Sequence, residues 1–318
     1  MIKENIEKAV ATLNKGELVS IPTETVYGLA ANAFSESAVK KIFELKKRPS
    51  HNPLIVHIHD IGELDKIACN INEKAVLLAK KFWPGPLTLI LDKHPDLPSI
   101  VTSGNKEVAV RIPNHPLTLN LLSQLSFPLA APSANPFGSI SPTSSEHVFN
   151  YFGHEIEVIL EGGICVNGLE STIIGFQENQ PILYRLGAIP AEEIELEIGP
   201  LKYNVQKDKN PTAPGMLSRH YAPKTDMYLT NNVEELINSF PTKKIGVLVF
   251  SESIVGRVIE HEEILSPAQN MEEAAKNLYA ALHRLDQKKV DIIIAELMPK
   301  KGLGNTINDR LKRAIKKI

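Results

Sequence analysis

Short apolar runs closed by proline or glycine alternate with amphipathic stretches along the whole chain, and this alternation limits the fold more than any other feature. Ile6, Val10 and Leu13 recur at helical spacing before Gly16, and residues 18–21 then read as a buried strand closed by Pro22. A second helix is expected over 37–47, capped by Ser35 or Ser37 and ended by Pro49. Further helices are expected over 72–82, 116–125 and 146–152. Strands are expected over 53–58, 87–91, 108–112, 128–131, 158–160, 171–176 and 182–185. Because many connections are short, an α/β fold with a mixed sheet is expected rather than a purely parallel one.

The pattern breaks near Gly199. Residues 200–225 are polar, hold Pro211, Pro214 and Pro223, and show no periodicity, which marks a linker. Beyond it, strands over 227–230, 245–250 and 290–297 alternate with helices over 233–240, 272–285 and 305–317. That is a small three-layer α/β unit. The 318 residues therefore divide into a first domain (1–199), a linker (200–225) and a second domain (226–318).

With 43% hydrophobic and 23% charged residues, the chain belongs with folded rather than disordered proteins. A net charge of -2 means that any nucleic-acid contact needs a local basic patch. Cys69 and Cys165 share no CxxC spacing, which argues against a disulfide framework or zinc cluster and for two reduced thiols. The N-terminus lacks the apolar core of a signal peptide, and no apolar run approaches the ~20 residues of a membrane span. A cytoplasmic location without membrane contact is expected.

No GxxxxGK[ST], post-strand GxGxxG, HExxH or GxSxG motif is present. A bound nucleotide would therefore be held by side chains from several strands. Thr23 and Thr25 follow the first strand, where their hydroxyls either hold a small polar ligand or satisfy the turn itself. Lys46, Lys47 and Arg48, with Asn52 and His57 downstream, either complement a helix end or meet a triphosphate at the sheet edge. Arg111 lies in an apolar strand and, if buried, needs a salt-bridge partner or a ligand carboxylate. The segments around Ala131, Ser133 and Ser141 are small and hydroxyl-rich, which suits close approach of a ligand; the alternative is a plain loop with a helix cap near Thr143. Glu170, Ser171 and Thr172 open one strand and Arg185 ends another. Arg219, His220 and Tyr221, between Pro214 and Pro223, are unusual for a spacer and suggest a lid folding back over a site. Arg310, Lys312, Arg313, Lys316 and Lys317 read as the solvated face of the last helix, with RNA contact as the alternative.

In combination, IPTETVYGLAANAF (21–34), KKRPSHNPLIVHI (46–58), FWPGPLTLIL (82–91), VAVRIPNHP (108–116), PLAAPSANPFGSISPT (128–143), GLESTII (168–174) and LYRLGAI (183–189) resemble the threonylcarbamoyl-AMP synthases. PGMLSRHYAP (214–223) resembles the linker of their two-domain form, although Leu217-Ser218 departs from the basic or aromatic pair expected there. The resemblance implies a YrdC-like twisted open sheet with a positively charged concave face, followed by a small Rossmann-like domain. It implies formation of threonylcarbamoyl-adenylate and pyrophosphate from L-threonine, bicarbonate (or CO2) and ATP, with Mg2+ on the phosphates. A partner transferase complex would then modify tRNA. Thr25, His57, Arg111, the Ala131 backbone and Ser171 would line the threonine site. Arg48, Asn52, Ser133, Ser141, Arg185 and His220 would contact ATP, with Lys46 near the phosphates.

Two other functions are compatible with parts of the sequence. Carbamoyl transfer of the hydrogenase-maturation kind uses a similar domain, but those chains add acylphosphatase and zinc-finger regions for which this sequence has neither the length nor the cysteines. A non-catalytic RNA-binding module would bind with strong salt dependence and release no pyrophosphate.

Overall fold

The computed structural model describes residues 5–204, 220–254 and 259–315. The first unit opens with α1 (Ile6–Asn14), β1 (Val19–Ile21), β2 (Gly28–Asn32), α2 (Glu36–Lys46), β3 (Ile55–His57) and β4 (Ala68–Cys69). It continues through α3 (Glu73–Phe82), β5 (Leu87–Lys93), β6 (Glu107–Arg111), α4 (Pro116–Ser123) and β7 (Leu129–Ala130). It closes with α5 (Ser145–Phe152), β8 (Val158–Ile159), β9 (Thr172–Gln177), β10 (Gln180–Arg185), α6 (Ala191–Ile198) and β11 (Lys202–Tyr203).

These strands form one mixed sheet in the order β11-β10-β9-β5-β6-β3-β7-β2-β1-β8, with β4 paired to β5. β3 with β6, and β5 with β9, are parallel, whereas β5 with β6, and β9 with β10, are antiparallel. Helix ends follow local chemistry. Ser35 accepts from the Ala38 N–H to cap α2, and Lys47 ends that helix in the left-handed conformation at φ 52°. Ile42, Leu54, Val56, Leu78, Leu89 and Val110 form the main core between the sheet, α2 and α3. Leu13, Val19, Leu121 and Leu129 form a second core under α1 and α4. Each such side chain, withdrawn from water, contributes about 1.5–3 kcal/mol.

The second unit comprises β12 (Asp226–Thr230), α7 (Val233–Asn238), β13 (Ile245–Val249), β14 (His261–Ile264), α8 (Met271–Gln287), β15 (Ile292–Glu296) and α9 (Leu303–Ala314). Its strands are all parallel, in the order β12-β15-β13-β14. Alternation along β15 sends Ile292 and Ile294 toward α7, and Ile293 and Ala295 toward α8 and α9. A three-layer unit results.

The two units share apolar contacts. Val26, Ile140 and Leu169 of the first pack with Tyr221, Leu278, Tyr279 and Leu282. At Gly168, φ 70°, an added Cβ would lie 2.5 Å from the Lys276 Cα, so this glycine allows α8 to approach.

Several details differ from the sequence reading. β2 was not among the expected strands: its mostly small residues carry little strand propensity, and pairing with β1 and β7 makes the strand. α6 and the half-buried strand β14 were also missed. The solvated face proposed for the last helix is overturned. Arg310 is 1% exposed and Arg313 7%; a second side of α9 is covered by Leu186 of the first unit, which meets Arg310, and by His220 of the linker, which meets the Arg313 carbonyl. Lys312 is exposed, and Lys316 and Lys317 lie outside the described residues. Cys165 is buried and Cys69 half-buried, both free. Among the described residues, no helix is long and apolar enough to cross a membrane.

Candidate active site

β3 and β6 run parallel and end side by side, His57 in register with Arg111. Their last side chains therefore emerge at one level of the sheet. β10 ends at Arg185, against the start of β9 just after Ser171. The hydroxyl turn after β1 and the Ala131–Ser133 segment after β7 close in from the other side. The result is one hollow lined by Thr23, Thr25, Arg48, His57, Arg111, Ala131, Ser133, Glu170, Ser171, Arg185, His220 and Tyr221, among others.

Arg111 is held on two sides. Its Nη2 donates to Glu24 Oε1 at 2.5 Å and its Nη1 to Thr25 Oγ1 at 3.1 Å. Glu24 Oε2 accepts from the Asn114 N–H. Thr23 donates its hydroxyl proton to the Val26 carbonyl, so the Thr25 hydroxyl is the donor in the 2.8 Å contact between the two threonines. Arg185 donates to the carbonyl and the hydroxyl of Ser171, and Ser171 also meets Thr88 Oγ1 at 2.7 Å. His57 Nδ1 faces the Ile55 carbonyl at 3.3 Å; a carbonyl only accepts, so the proton sits on Nδ1 and Nε2 is left as an acceptor.

The charge is unevenly compensated. Glu24 answers Arg111, whereas Arg48 donates to the neutral carbonyls of Asn52 and Pro53. Lys46 likewise donates to the carbonyls of Ser133 and Asn135. Burial, with Arg48 beside it, pushes the Lys46 ammonium well below its usual pKa. Burial, then the neighbouring Arg48, Lys46, Arg310 and Arg185, pushes His220 well below its usual pKa, and burial with Arg111 pushes His57 down to about 3. Three buried polar groups here find no hydrogen-bond partner among the described residues: the Asn52 side-chain amide, Arg111 Nε and His220 Nδ1. Orphans of this kind call for a ligand or water, at about 1–3 kcal/mol each if left unmet.

Of the residues singled out from sequence, Thr25, His57, Arg111, Ala131, Ser171, Arg48, Ser133, Arg185 and His220 all line the hollow. Lys46, Asn52 and Ser141 stand behind it. Lys46 ties Ser133 and Asn135, Asn52 supplies the carbonyl that holds Arg48, and Ser141 donates to Glu170 Oε1 at 2.7 Å. For Arg111 the salt-bridge partner is Glu24, and the residue also lines the hollow. The helix cap near Thr143 is Ser144. Most of the expected lid, including Arg219, lies outside the described residues; its described end places His220 and Tyr221 on the hollow.

Residues 11–187 match the Sua5–YciO–YrdC family, described as telomere recombination. Residues 189–315 match the Sua5 C-terminal family, described as the threonylcarbamoyl-AMP synthase C-terminal domain. A threonylcarbamoyl-AMP synthase from Pyrococcus abyssi is 43% identical, the match covering 98% of this chain and 96% of the relative. The chain belongs to the threonylcarbamoyl-AMP synthase family. One from Bacillus subtilis is 42% identical over 97% of this chain and 92% of its own. A crystal structure of P. abyssi Sua5 complexed with L-threonine superposes with a TM-score of 0.92 at 42% identity, covering 100% of this chain and 98% of that one.

In this threonylcarbamoyl-AMP synthase family member, sequence reasoning missed the parts that brace the hollow. Glu24 was visible as the one acid in a hydroxyl-rich turn, but its partner, Arg111, is 87 residues away. Glu170 was noted only as part of a strand opening. Its carboxylate accepts from Ser141, Tyr279 and Arg310, the last two from α8 and α9. Burial disfavours its charged form, and Arg310 and Arg185 outweigh that, so its pKa is lowered.

Proposed function

We propose that this protein forms L-threonylcarbamoyl-adenylate and pyrophosphate from L-threonine, bicarbonate or CO2, and ATP. The observation that carries the reading is the single hollow in which Arg111 and Thr25, suited to an amino acid, stand beside Arg48 and Arg185, suited to a polyphosphate. The similarity to P. abyssi Sua5, solved with L-threonine, supports the amino-acid half.

The threonine amine attacks the carbon of CO2 and gives up a proton to solvent water, leaving a carbamate. A carbamate oxygen then attacks the α-phosphorus of ATP; the bond to the bridging oxygen breaks, and pyrophosphate leaves with the electron pair. Positioning and charge neutralisation supply most of the catalysis in such a transfer. Arg111, with Glu24 fixing one edge of its fork, offers its remaining N–H groups, Nε included, to the threonine carboxylate. Thr25, Ser171 and the Ala131 backbone hold the amine and hydroxyl. His57 acts as a hydrogen-bond acceptor rather than a base, because burial and Arg111 push its pKa down to about 3, so that its Nε2 lone pair is open at neutral pH but takes up a second proton weakly. On the nucleotide side, Arg48, Arg185, Ser133 and His220 serve ATP from the wall of the hollow, with Asn52, Ser141 and Lys46 contributing from behind.

Mg2+ enters as part of the substrate, on the phosphates. Among the described residues no group of three or more His, Cys, Asp or Glu side chains could hold a metal ion. Phosphate oxygens and water would supply its ligands. The adenylate would pass to a threonylcarbamoyl transferase complex acting on tRNA. The test is incubation with ATP, Mg2+, bicarbonate and each amino acid in turn, followed by mass analysis. A threonine-specific carbamoyl-adenylate supports the reading; a plain aminoacyl-adenylate, or no adduct, contradicts it.

A further inference from the structure

The last helix reaches into the wall of the hollow through Arg310. Its Nε donates to Glu170 Oε2 at 2.8 Å, its Nη2 to the Leu186 carbonyl at 2.6 Å and its Nη1 to Asp309 Oδ2 at 2.7 Å. Its Cζ lies 4.8 Å from the centre of the Tyr221 ring. Glu170 and Tyr221 both line the hollow; Arg310 does not. Tyr221 holds a positive φ of 64° and stacks on Tyr279, whose hydroxyl is 2.9 Å from Glu170 Oε2. Beside it, the His220 N–H donates to the Arg313 carbonyl at 3.1 Å.

Glu170 feels two cations, Arg310 and Arg185. Arg310 bonds its carboxylate directly, whereas Arg185 donates to Ser171, the next residue along. A buried carboxylate stripped of its partner is costly and draws in whatever cation can reach it. Removing Arg310 would therefore set Glu170 against Ser171 for the guanidinium of Arg185, and would take the support from behind Tyr221.

We propose that Arg310 is a positioning residue for the nucleotide half of the site: by compensating Glu170 and bracing Tyr221 it keeps Arg185 on Ser171 and facing the hollow. The second unit then completes the active site of the first. This inference rests on the adenylate-forming reading above.

The test is steady-state pyrophosphate release, with ATP and threonine varied separately, in four proteins. They are wild type, Arg310→Met, Arg310→Lys and the Glu170→Gln, Arg310→Met double variant, each checked by thermal unfolding. Arg310→Met should raise KM for ATP by about tenfold and leave KM for threonine within about twofold. The double variant, which removes the acid along with its partner, should recover most of the loss. Arg310→Lys keeps a charge without the fork and should show a smaller rise of the same sign; if Arg310→Met does not fold, Arg310→Lys carries the comparison. An unchanged KM for ATP overturns the inference. So does a parallel loss for both substrates that the double variant fails to repair, since that is the mark of a merely structural residue. Wild type without threonine-dependent pyrophosphate release would instead contradict the proposed reaction. ATP binding to the same four proteins by calorimetry then decides the role of Arg310, with the same tenfold loss expected for Arg310→Met and an equal affinity overturning it.

Discussion

Arg111 Nη2 and Glu24 Oε1 meet at 2.5 Å with both side chains under 5% exposed, so a complete ion pair lies inside the first unit at the edge of its hollow. Breaking such a pair from one side costs about 3–5 kcal/mol, because the remaining charge is left buried and alone. Glu24→Ala should therefore lower stability by about that amount in urea unfolding. Arg111→Ala should weaken threonine binding far more than ATP binding when both are measured by calorimetry. Equal losses for the two ligands would mean that Arg111 serves only as the partner of Glu24.

Asn52 is 0% exposed, and its side-chain amide has no partner among the described residues. A buried polar group kept at such a cost points to function rather than stability. Asn52→Leu, with the same branching and number of side-chain heavy atoms, should leave stability unchanged or raise it by about 1 kcal/mol. The same change should raise KM for ATP about tenfold or more. A variant that loses stability and keeps its KM would show the amide to be structural.

His283 lies at the contact of the two units, 7% exposed, stacked 3.9 Å from His147, with Nε2 3.1 Å from the Ser141 carbonyl. Burial pushes its pKa down to about 4, against the partial opposition of that hydrogen bond. The unfolded chain, with an ordinary value of about 6.5, takes up the proton first as pH falls. The stabilisation is therefore complete above about pH 6.5 and is lost as pH falls toward 4, on the order of 3 kcal/mol. Urea unfolding between pH 8 and 4 should show wild type losing that much relative to His283→Gln. Parallel pH profiles for the two proteins would contradict it.

What the sequence disclosed were residues whose chemistry is costly where they stand. Arg111 in an apolar strand, Arg48 at a helix end before a strand, and the hydroxyls of Thr25 and Ser171 at strand boundaries each demanded a partner, and each lines the hollow. The alternation of apolar runs was enough to give the mixed first sheet and the three-layer second unit. The partners themselves were not visible. Glu24 finds Arg111, and Glu170 finds Arg310, only through the packing of distant elements. α9 shows why: Ile307, Leu311 and Ala314 mark its face toward its own unit, but the second face, with Arg310 and Arg313, is covered only because the first unit and the end of the linker are there. β2 and β14 escaped for a similar reason, being strands by virtue of their neighbours.

The central claim is that one hollow seats an amino acid and a nucleoside triphosphate together and joins them through CO2. Pyrophosphate release from ATP, followed while L-threonine and bicarbonate are each withheld and restored, tests it most directly. Release should require both, and serine at equal concentration should support far less. Release that proceeds without threonine, or is indifferent to bicarbonate, would contradict the account.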